Sequence, residues 1–295
     1  MTENLRGAAL MTLAMVTFTV NDTCVKAASD ALPLAQIIVL RGVSVSLLLV
    51  AVIAVSGVKL RQIAPRDRRL IAIRTLAEVT ATWTFLTALI HMPIANLSAI
   101  MQALPLSVTL GSMLVFREAV GWRRMTAIAI GFLGVMLIVR PGMDGFTRYA
   151  VLGLLSVLAV TVRDLASRRL TPTVPSLAVS LAAAIAVTCL GLVMSFDAPW
   201  QAVGPRDGAL IGGAVLMLMF GYAASVASMR VGEIGFVAPF RYTSLVAALV
   251  LGLVVFGDWP DGLTLAGAAI VVATGAFTLW RERGKRPAVM GLRVR

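Results

Sequence analysis

Long apolar runs, separated by short polar or proline-containing connections, follow one another along the whole chain. Each run has about 20 residues, the length that an α-helix needs to cross the hydrocarbon core of a bilayer. We predict ten such helices, over residues 6–28, 33–56, 70–90, 93–116, 121–139, 148–168, 175–195, 207–229, 234–256 and 262–280. The pattern therefore indicates an all-α, polytopic membrane protein whose main partner is the lipid bilayer.

Composition and charge agree with this assignment. Charged residues make up 14% of the chain, whereas a soluble domain has about 25%. The net charge is +12, but the basic residues lie mostly between the apolar runs and in the C-terminal stretch, without the interleaved aromatic residues of a single-strand binder. We therefore expect no nucleic-acid partner, and we assign residues 284–295 as a basic cytoplasmic tail.

Lysine and arginine are unequally divided between alternate connections, which sets the orientation of a membrane protein. One set of connections, including both termini, holds 20 of the 26 basic residues, and the other set holds four. Because the basic set faces the cytoplasm, both termini are predicted to be cytoplasmic, in a multi-pass protein of the bacterial inner membrane. Two termini on the same side of the membrane require an even number of spans, and the ten predicted spans meet this requirement.

The two halves of the chain share a register of similar residues. An offset of 142 pairs Asp22 with Asp164, Lys26 with Arg168 and Pro33 with Pro175, and an offset of 140 pairs the "PRD" at 65–67 with the "PRD" at 205–207. We predict two repeats, residues 5–142 and 147–283, each with five helices. Because five is odd, the second repeat enters the bilayer inverted. Inverted repeats are typical of secondary transporters, where they predict alternating access.

The chain also resembles the EamA-domain exporters of the drug/metabolite transporter superfamily. The similar features are Arg41 in "IIVLRG", the stretch "FREAVGWRRMTAIAIGFLGVMLI", and the acidic residues Glu118 and Asp258 after the fourth and ninth spans. The resemblance covers residues 5–281 and implies a central cavity lined by helices one, three, four, six, eight and nine. Family members include amino-acid exporters of the YddG type. The small multidrug relatives use a glutamate in the first helix, where this chain has Asn21 and Asp22 instead, so their proton-antiport chemistry does not carry over.

Polar side chains inside spans are costly in lipid and therefore mark candidate functional positions. We predict a substrate-binding set of Glu78, Trp83, Asn96, Gln102, Tyr222, Arg241 and Tyr242. Arg241 is the candidate partner for a substrate carboxylate, because charge-assisted hydrogen bonds are strong. A second interpretation stays open for these residues: Glu78 can pair with Arg74 on one helix face, and the others can serve helix packing.

A gating set is predicted from Asp22, Lys26, Asp164 and Arg168, because each carboxylate has a basic residue four positions later. Such pairs are either permanent salt bridges at helix ends or contacts that form and break as a gate closes. Small residues at helical spacing, in stretches such as "GFLGV" and "LAGAAIVVATGAF", indicate close helix packing or a dimer face. Both a monomer and a homodimer are consistent with the sequence.

We interpret the chain as a secondary transporter, active or facilitative, that exports amino acids or similar small metabolites. The chain has one histidine, and its two cysteines, Cys24 and Cys189, lie inside apolar runs. We therefore expect no metal and no cofactor. The alternatives are an integral membrane enzyme acting on lipid or phosphate substrates, a passive channel, or a related transporter of a drug, vitamin or nucleotide-like metabolite. Membrane enzymes need clustered carboxylates or a histidine with an acidic partner, which the sequence does not offer. Proton coupling is left open.

Overall fold

The computed structural model describes residues 3–56, 64–117, 121–140, 147–171, 173–231 and 234–283. Within these ranges the chain is helical and contains no strand. Glu118, the basic tail 284–295 and most of the predicted junction between the repeats lie outside the described residues. The all-α fold class predicted from the sequence is confirmed.

The helices follow the predicted spans closely. They are α1 (Glu3–Ala28), α2 (Leu34–Ser56), α3 (Pro65–His91), α4 (Ile94–Met101), α5 (Leu104–Phe116), α6 (Trp122–Val139), α7 (Arg148–Arg168), α8 (Ser176–Met194), α9 (Pro205–Val231), α10 (Ile234–Val237), a 3-10 helix (Ala238–Tyr242), α11 (Thr243–Phe256) and α12 (Gly262–Arg283). Helices α4 and α5 together form the fourth span. Helix α10, the 3-10 helix and α11 form the ninth.

The ten predicted spans differ in how apolar and how long their helices are. Within the described residues, seven meet both length and composition requirements: Glu3–Ala28, Leu34–Ser56, Ile94–Phe116, Arg148–Arg168, Ser176–Met194, Pro205–Ser228 and Ala238–Phe256. The segments Met125–Val139 and Gly262–Thr278 are apolar but shorter. The remaining span, α3, carries charged residues along its first half, and these charges return in the candidate site.

Two spans are interrupted near proline residues. Between α4 and α5 the chain turns at Gln102 and Ala103, and Pro105 follows in the first turn of α5. Pro239 lies at the start of the 3-10 helix in the ninth span. Proline has no N–H to donate to the carbonyl four residues earlier, and membrane helices tolerate such breaks beside neighbouring helices or a water-filled cavity.

The principal helix contacts cross between the two halves. Helix α1 packs on α9, α3 on α7, α2 on α8, α6 on α12 and α4 on α11. A two-fold operation that exchanges the repeats turns α1 into α7 and α9 into α3, so it converts the first contact into the second. It maps the contacts of α2 with α8 and of α6 with α12 onto themselves, and it exchanges the fourth span with the ninth. The packing is therefore that of two inverted five-helix repeats related by a pseudo-two-fold axis.

Helices α6 and α12 approach each other at two glycines. A Cβ atom built on Gly267 would lie 2.5 Å from the carbonyl oxygen of Gly134, and one built on Gly134 would lie 2.9 Å from the carbonyl oxygen of Gly267. Both glycines are buried. The small residues of these two spans thus serve close helix packing inside the chain, one of the two roles predicted for them.

Candidate functional site

The two interrupted spans and the first helix meet at Ser244. The amide nitrogen of Gln102 donates to the Ser244 hydroxyl over 2.9 Å, and the Thr19 hydroxyl contacts the Ser244 carbonyl at 3.5 Å. The Ser244 hydroxyl in turn donates to the carbonyl of Arg241 over 3.0 Å. Because Gln102 is only 6% exposed, this junction lies in the interior of the helix bundle.

Arg241 and Tyr242 are adjacent in the 3-10 helix but occupy different environments. The Arg241 side chain is exposed, and within the described part of the chain its guanidinium makes no hydrogen bond or ion pair. Tyr242 is buried against α12, where a Cβ on Gly275 would collide with its phenol ring. Arg241 lies about 10 Å along its span, so a hydrated space rather than lipid is its favourable surrounding.

A cluster of four charged side chains joins α3 to α7. The Arg163 guanidinium contacts the Glu78 carboxylate at 3.3 and 3.5 Å and Asp164 at 2.9 Å. Arg74 contributes the predicted pair with Glu78, at 3.8 Å, and donates to the Ser167 hydroxyl over 3.1 Å. The opposite charges offset the cost of placing them inside a membrane span.

Tyr222 connects this cluster to a second charged pair. Its ring meets Phe18 of α1 edge to face, with the centroids 5.3 Å apart. The charges that act on its phenol belong to Glu78 and Arg163 on one side and to Arg41 on the other. Tyr222 is 53% exposed and lies among these charges; the region of α1, α2, α3, α7 and α9 that carries them is called the chamber below.

Asp22 and Arg41 form the second pair, between α1 and α2. Asp22 accepts a hydrogen bond from the side-chain amide of Asn21 over 2.8 Å, and Arg41 is the opposite charge that acts on it. The Nε atom of Arg41 and the amide oxygen of Asn21 are buried without a hydrogen-bond partner among the described residues. Unpaired buried polar atoms are costly, so this end of the chamber has capacity for a further polar group.

The predicted gating pairs have other partners in this conformation. Lys26 does not pair with Asp22 but donates to the carbonyl of Met92, with its ammonium 5.3 Å from the centre of the Phe256 ring. Lys26 therefore makes its contacts with other helices in this conformation, and the gating role of Asp22 and Lys26 stays a prediction.

Asp164 contacts its sequence neighbour, whereas Arg168 reaches another helix. Asp164 accepts from Arg163, the residue before it. Arg168 donates to the hydroxyl of Ser112 over 2.7 Å, and its guanidinium lies over the ring of Phe116 at 5.1 Å. These contacts connect α7 to α5 at the end that the charge distribution assigns to the cytoplasm.

Asn96 and Trp83, two further members of the predicted substrate-binding set, differ in how exposed they are. Asn96 of α4 is partly buried, and its amide oxygen lacks a partner among the described residues. Trp83 is 43% exposed and shares a face of α3 with Leu76, which is 68% exposed. Five residues correspond to about 140° around a helix, so Trp83 points away from Glu78. The substrate-binding role of Trp83 stays a prediction.

Sequence reasoning left three components out of the site. Arg163 was available as a basic residue directly before Asp164 in a span, and Arg41 was used only as a mark of family resemblance. Ser244 carries no signal of its own, because its role follows from the meeting of two broken helices. In the part of the chain that the structure describes, no three His, Cys, Asp or Glu side chains converge to hold a metal ion.

Several proteins similar in sequence to this chain are transporters. The profile of the EamA-like transporter family matches residues 5–140. The riboflavin transporter of Vibrio cholerae is 29% identical over 217 residues, which cover 72% of each chain. The pseudopaline exporter CntI of Pseudomonas aeruginosa is 28% identical over 273 residues, covering 90% of this chain and 93% of the exporter.

Two further similarities extend the comparison. An S-adenosylmethionine uptake transporter of Rickettsia prowazekii is 21% identical over 207 residues, covering 68% of each chain. A solved structure, titled only as the crystal structure of a protein, is 20% identical with a TM-score of 0.64, and the match covers 95% of this chain and 99% of that one. Residues 5–140 thus match the EamA-like transporter family, and the three relatives named here are transporters or exporters.

Proposed function

We propose that the chain exports amino acids or similar small zwitterionic metabolites across the bacterial inner membrane by alternating access. The observation that carries this proposal is Arg241, an exposed guanidinium beside a broken helix that has no ion-pair partner in the described part of the chain. A cation at that position needs an anionic partner. A substrate carboxylate supplies one through charge-assisted hydrogen bonds.

The other charges of the chamber support this role for Arg241. They occur in equal numbers of each sign, as the carboxylates of Asp22, Glu78 and Asp164 and the guanidiniums of Arg41, Arg74 and Arg163. Of these arginines and Arg241, Arg241 is the one on which no carboxylate acts among the described residues, and it gives the site a preference for a carboxylate. The paired charges add hydrogen-bonding groups of both kinds, which suits a substrate with an ammonium as well as a carboxylate.

Alternating access is supported by two equivalent interfaces with different chemistry. The pseudo-two-fold operation relates the contact between α3 and α7 to that between α9 and α1. The first is held by the Glu78–Arg163 ion pair and the second by the Phe18–Tyr222 aromatic contact. In the proposed cycle one interface opens while the other stays closed, and the substrate site near Ser244 and Arg241 remains between them.

A second substrate class is a vitamin or nucleoside-like metabolite. It is favoured by the names of two relatives, one a riboflavin transporter and the other an S-adenosylmethionine uptake transporter. Direction also differs among the relatives, since one is named an exporter and another an uptake transporter. The counterflow panel below therefore includes both substrate classes.

Counterflow in proteoliposomes tests the proposal. Vesicles preloaded with one unlabelled compound are given the labelled form, across a panel of amino acids, riboflavin and S-adenosylmethionine. We expect exchange of at least one amino acid, and repetition with a pH gradient separates facilitated diffusion from proton exchange. Exchange of riboflavin without exchange of any amino acid would transfer the assignment to the second class.

Substitution of Arg241 tests its role in the same assay. Loss of a hydrogen bond to a charged group costs about 1.5–3 kcal/mol, so Arg241→Ala is expected to exchange at least about tenfold more slowly at low substrate concentration. The control is Arg230→Ala, because Arg230 is an exposed arginine at the end of α9. Normal exchange by Arg241→Ala would refute the carboxylate-binding role.

A further inference from the structure

A groove of about 550 Å³ lies outside the transport chamber, where α3 begins and α7 has just ended. Its lining residues are Pro65, Arg66, Arg69, Leu70 and Arg169. Three of these five residues are arginines and none is acidic. The groove belongs to the end of the bundle that carries most of the basic residues, which the charge distribution assigns to the cytoplasm.

The backbone on both sides of the groove is fixed by buried contacts. Asp67 is 2% exposed and accepts hydrogen bonds from the hydroxyl of Thr171 at 2.8 Å and from its backbone N–H at 3.3 Å. This tie holds the first turn of α3 against the segment that follows α7. Among the described residues, Asp67 forms no ion pair with the groove residues Arg66 and Arg69.

The three arginines line the groove from two sides, α3 and the end of α7. Arg66 and Arg69 are three residues apart and therefore lie on one face of α3. Arg169 comes from the opposite wall, where it donates to the carbonyl of Val115 over 3.1 Å and lies 5.2 Å from the centre of the Phe116 ring. Those contacts orient Arg169 and leave its charge without a carboxylate partner among the lining residues.

The walls between these charges are largely hydrocarbon. The Pro65 ring, the Leu70 side chain and the methylene stems of the arginines provide apolar surface next to the cationic heads. A free inorganic anion gains nothing from such walls, whereas an amphiphile uses both parts. Basic pockets between membrane helices on the cytoplasmic side suit anionic lipid headgroups, and arginine suits phosphate through its bidentate geometry.

We propose that this groove binds an anionic glycerophospholipid, with the headgroup phosphate held by Arg66, Arg69 and Arg169 and the upper part of an acyl chain against Pro65 and Leu70. The site is separate from the transport chamber, and the proposal does not depend on which substrate is transported. It does place a lipid at the foot of α3, one helix turn below Arg74 of the Glu78–Arg163 cluster.

Lipid binding to the full-length protein, purified in a neutral detergent, tests the proposal. Dissociation constants are measured by native mass spectrometry for phosphatidylglycerol and for phosphatidylcholine with the same acyl chains. The variant is Arg66→Gln/Arg69→Gln. The matched control, Arg123→Gln/Arg230→Gln, removes two exposed arginines from the same end of the bundle but outside the groove.

The groove variant is expected to bind phosphatidylglycerol about 30-fold more weakly, the ratio that corresponds to about 1 kcal/mol for each of two lost cations. The control variant should change less than about threefold. Phosphatidylcholine should bind all three proteins equally weakly. Equal weakening in both variants would overturn the proposal, because it would show a diffuse effect of charge.

Two further measurements complete the test. The variant Arg66→Lys/Arg69→Lys retains the charge, so its dissociation constant for phosphatidylglycerol should stay within about tenfold of that of the original protein. A loss of affinity as large as that of the glutamine variant would contradict a role for the charges. Inorganic phosphate at millimolar concentration should not displace the lipid. Displacement by phosphate would identify the groove as a site for the free anion and refute the lipid.

Discussion

Replacing Gly267 with alanine should destabilise the folded protein, whereas the same change at Gly212 should not. The new Cβ at position 267 would lie 2.5 Å from the carbonyl oxygen of Gly134. Cβ atoms in real proteins essentially never lie closer than 3.0 Å to another atom of this kind, so α6 and α12 must separate by about 0.5 Å. At Gly212 of α9, no atom lies within 4 Å of the position that a Cβ would occupy.

The comparison isolates the steric cost. Alanine stabilises a helix interior by about 1 kcal/mol relative to glycine, and this gain applies to both positions. Overpacking costs about 1–3 kcal/mol, and it applies to Gly267 alone. The two variants should therefore differ by about 2 kcal/mol in stability, or about 4–8 °C in melting temperature.

Thermal unfolding of the two purified variants in the same detergent, followed by circular dichroism, measures this difference. Each variant should first be shown to elute as a monodisperse peak in size-exclusion chromatography under the same conditions. If the melting temperature of Gly267→Ala equals or exceeds that of Gly212→Ala, α6 and α12 are not in backbone contact at Gly267.

Two further perturbations test the charged groups. Glu78→Gln leaves the Arg163 guanidinium with one carboxylate fewer and should lower the free energy of unfolding by about 2 kcal/mol. The double variant Glu78→Gln/Arg163→Met should recover part of that loss. If the effects of the two single substitutions simply add in the double variant, the two side chains do not interact. The pKa of Asp261 lies below its ordinary value because the backbone N–H of Thr264 and the Arg140 guanidinium donate to it. A carboxyl group with a lowered pKa stabilises the fold at neutral pH and loses this effect as the pH falls from about 5 toward 3. The difference in stability between the original protein and Asp261→Asn should therefore shrink over that interval. A constant difference would contradict the lowered pKa of Asp261.

The fold could be predicted largely from the sequence because lipid imposes a simple rule. A spanning helix must satisfy its own backbone in hydrocarbon, so each run of about 20 apolar residues specifies one element. Even α3, whose first half is charged, was identified because its second half is apolar and ends at Met92-Pro93. The breaks at Pro105 and Pro239 were likewise visible, since proline removes a backbone donor.

The partners of the site residues could not be predicted in the same way. Helical spacing identifies neighbours on one helix, and it correctly gave the Arg74–Glu78 pair. It does not say which side chains of other helices come closer, and for this reason it assigned Lys26 to Asp22 and left Arg163 out. Long side chains such as those of lysine and arginine reach across helix interfaces, so their partners depend on tertiary packing that periodicity does not contain.

Alternating access requires the opposite orientation of the two repeats, and the equivalent residues Arg66 and Arg206 test that orientation most directly. In a background with Cys24 and Cys189 replaced by serine, Arg66→Cys and Arg206→Cys are each treated with a membrane-impermeant maleimide, on intact cells and after permeabilisation. We predict that position 206 reacts on intact cells and that position 66 reacts only after permeabilisation. Labelling of both positions from the same side of the membrane would contradict the inverted arrangement and, with it, alternating access.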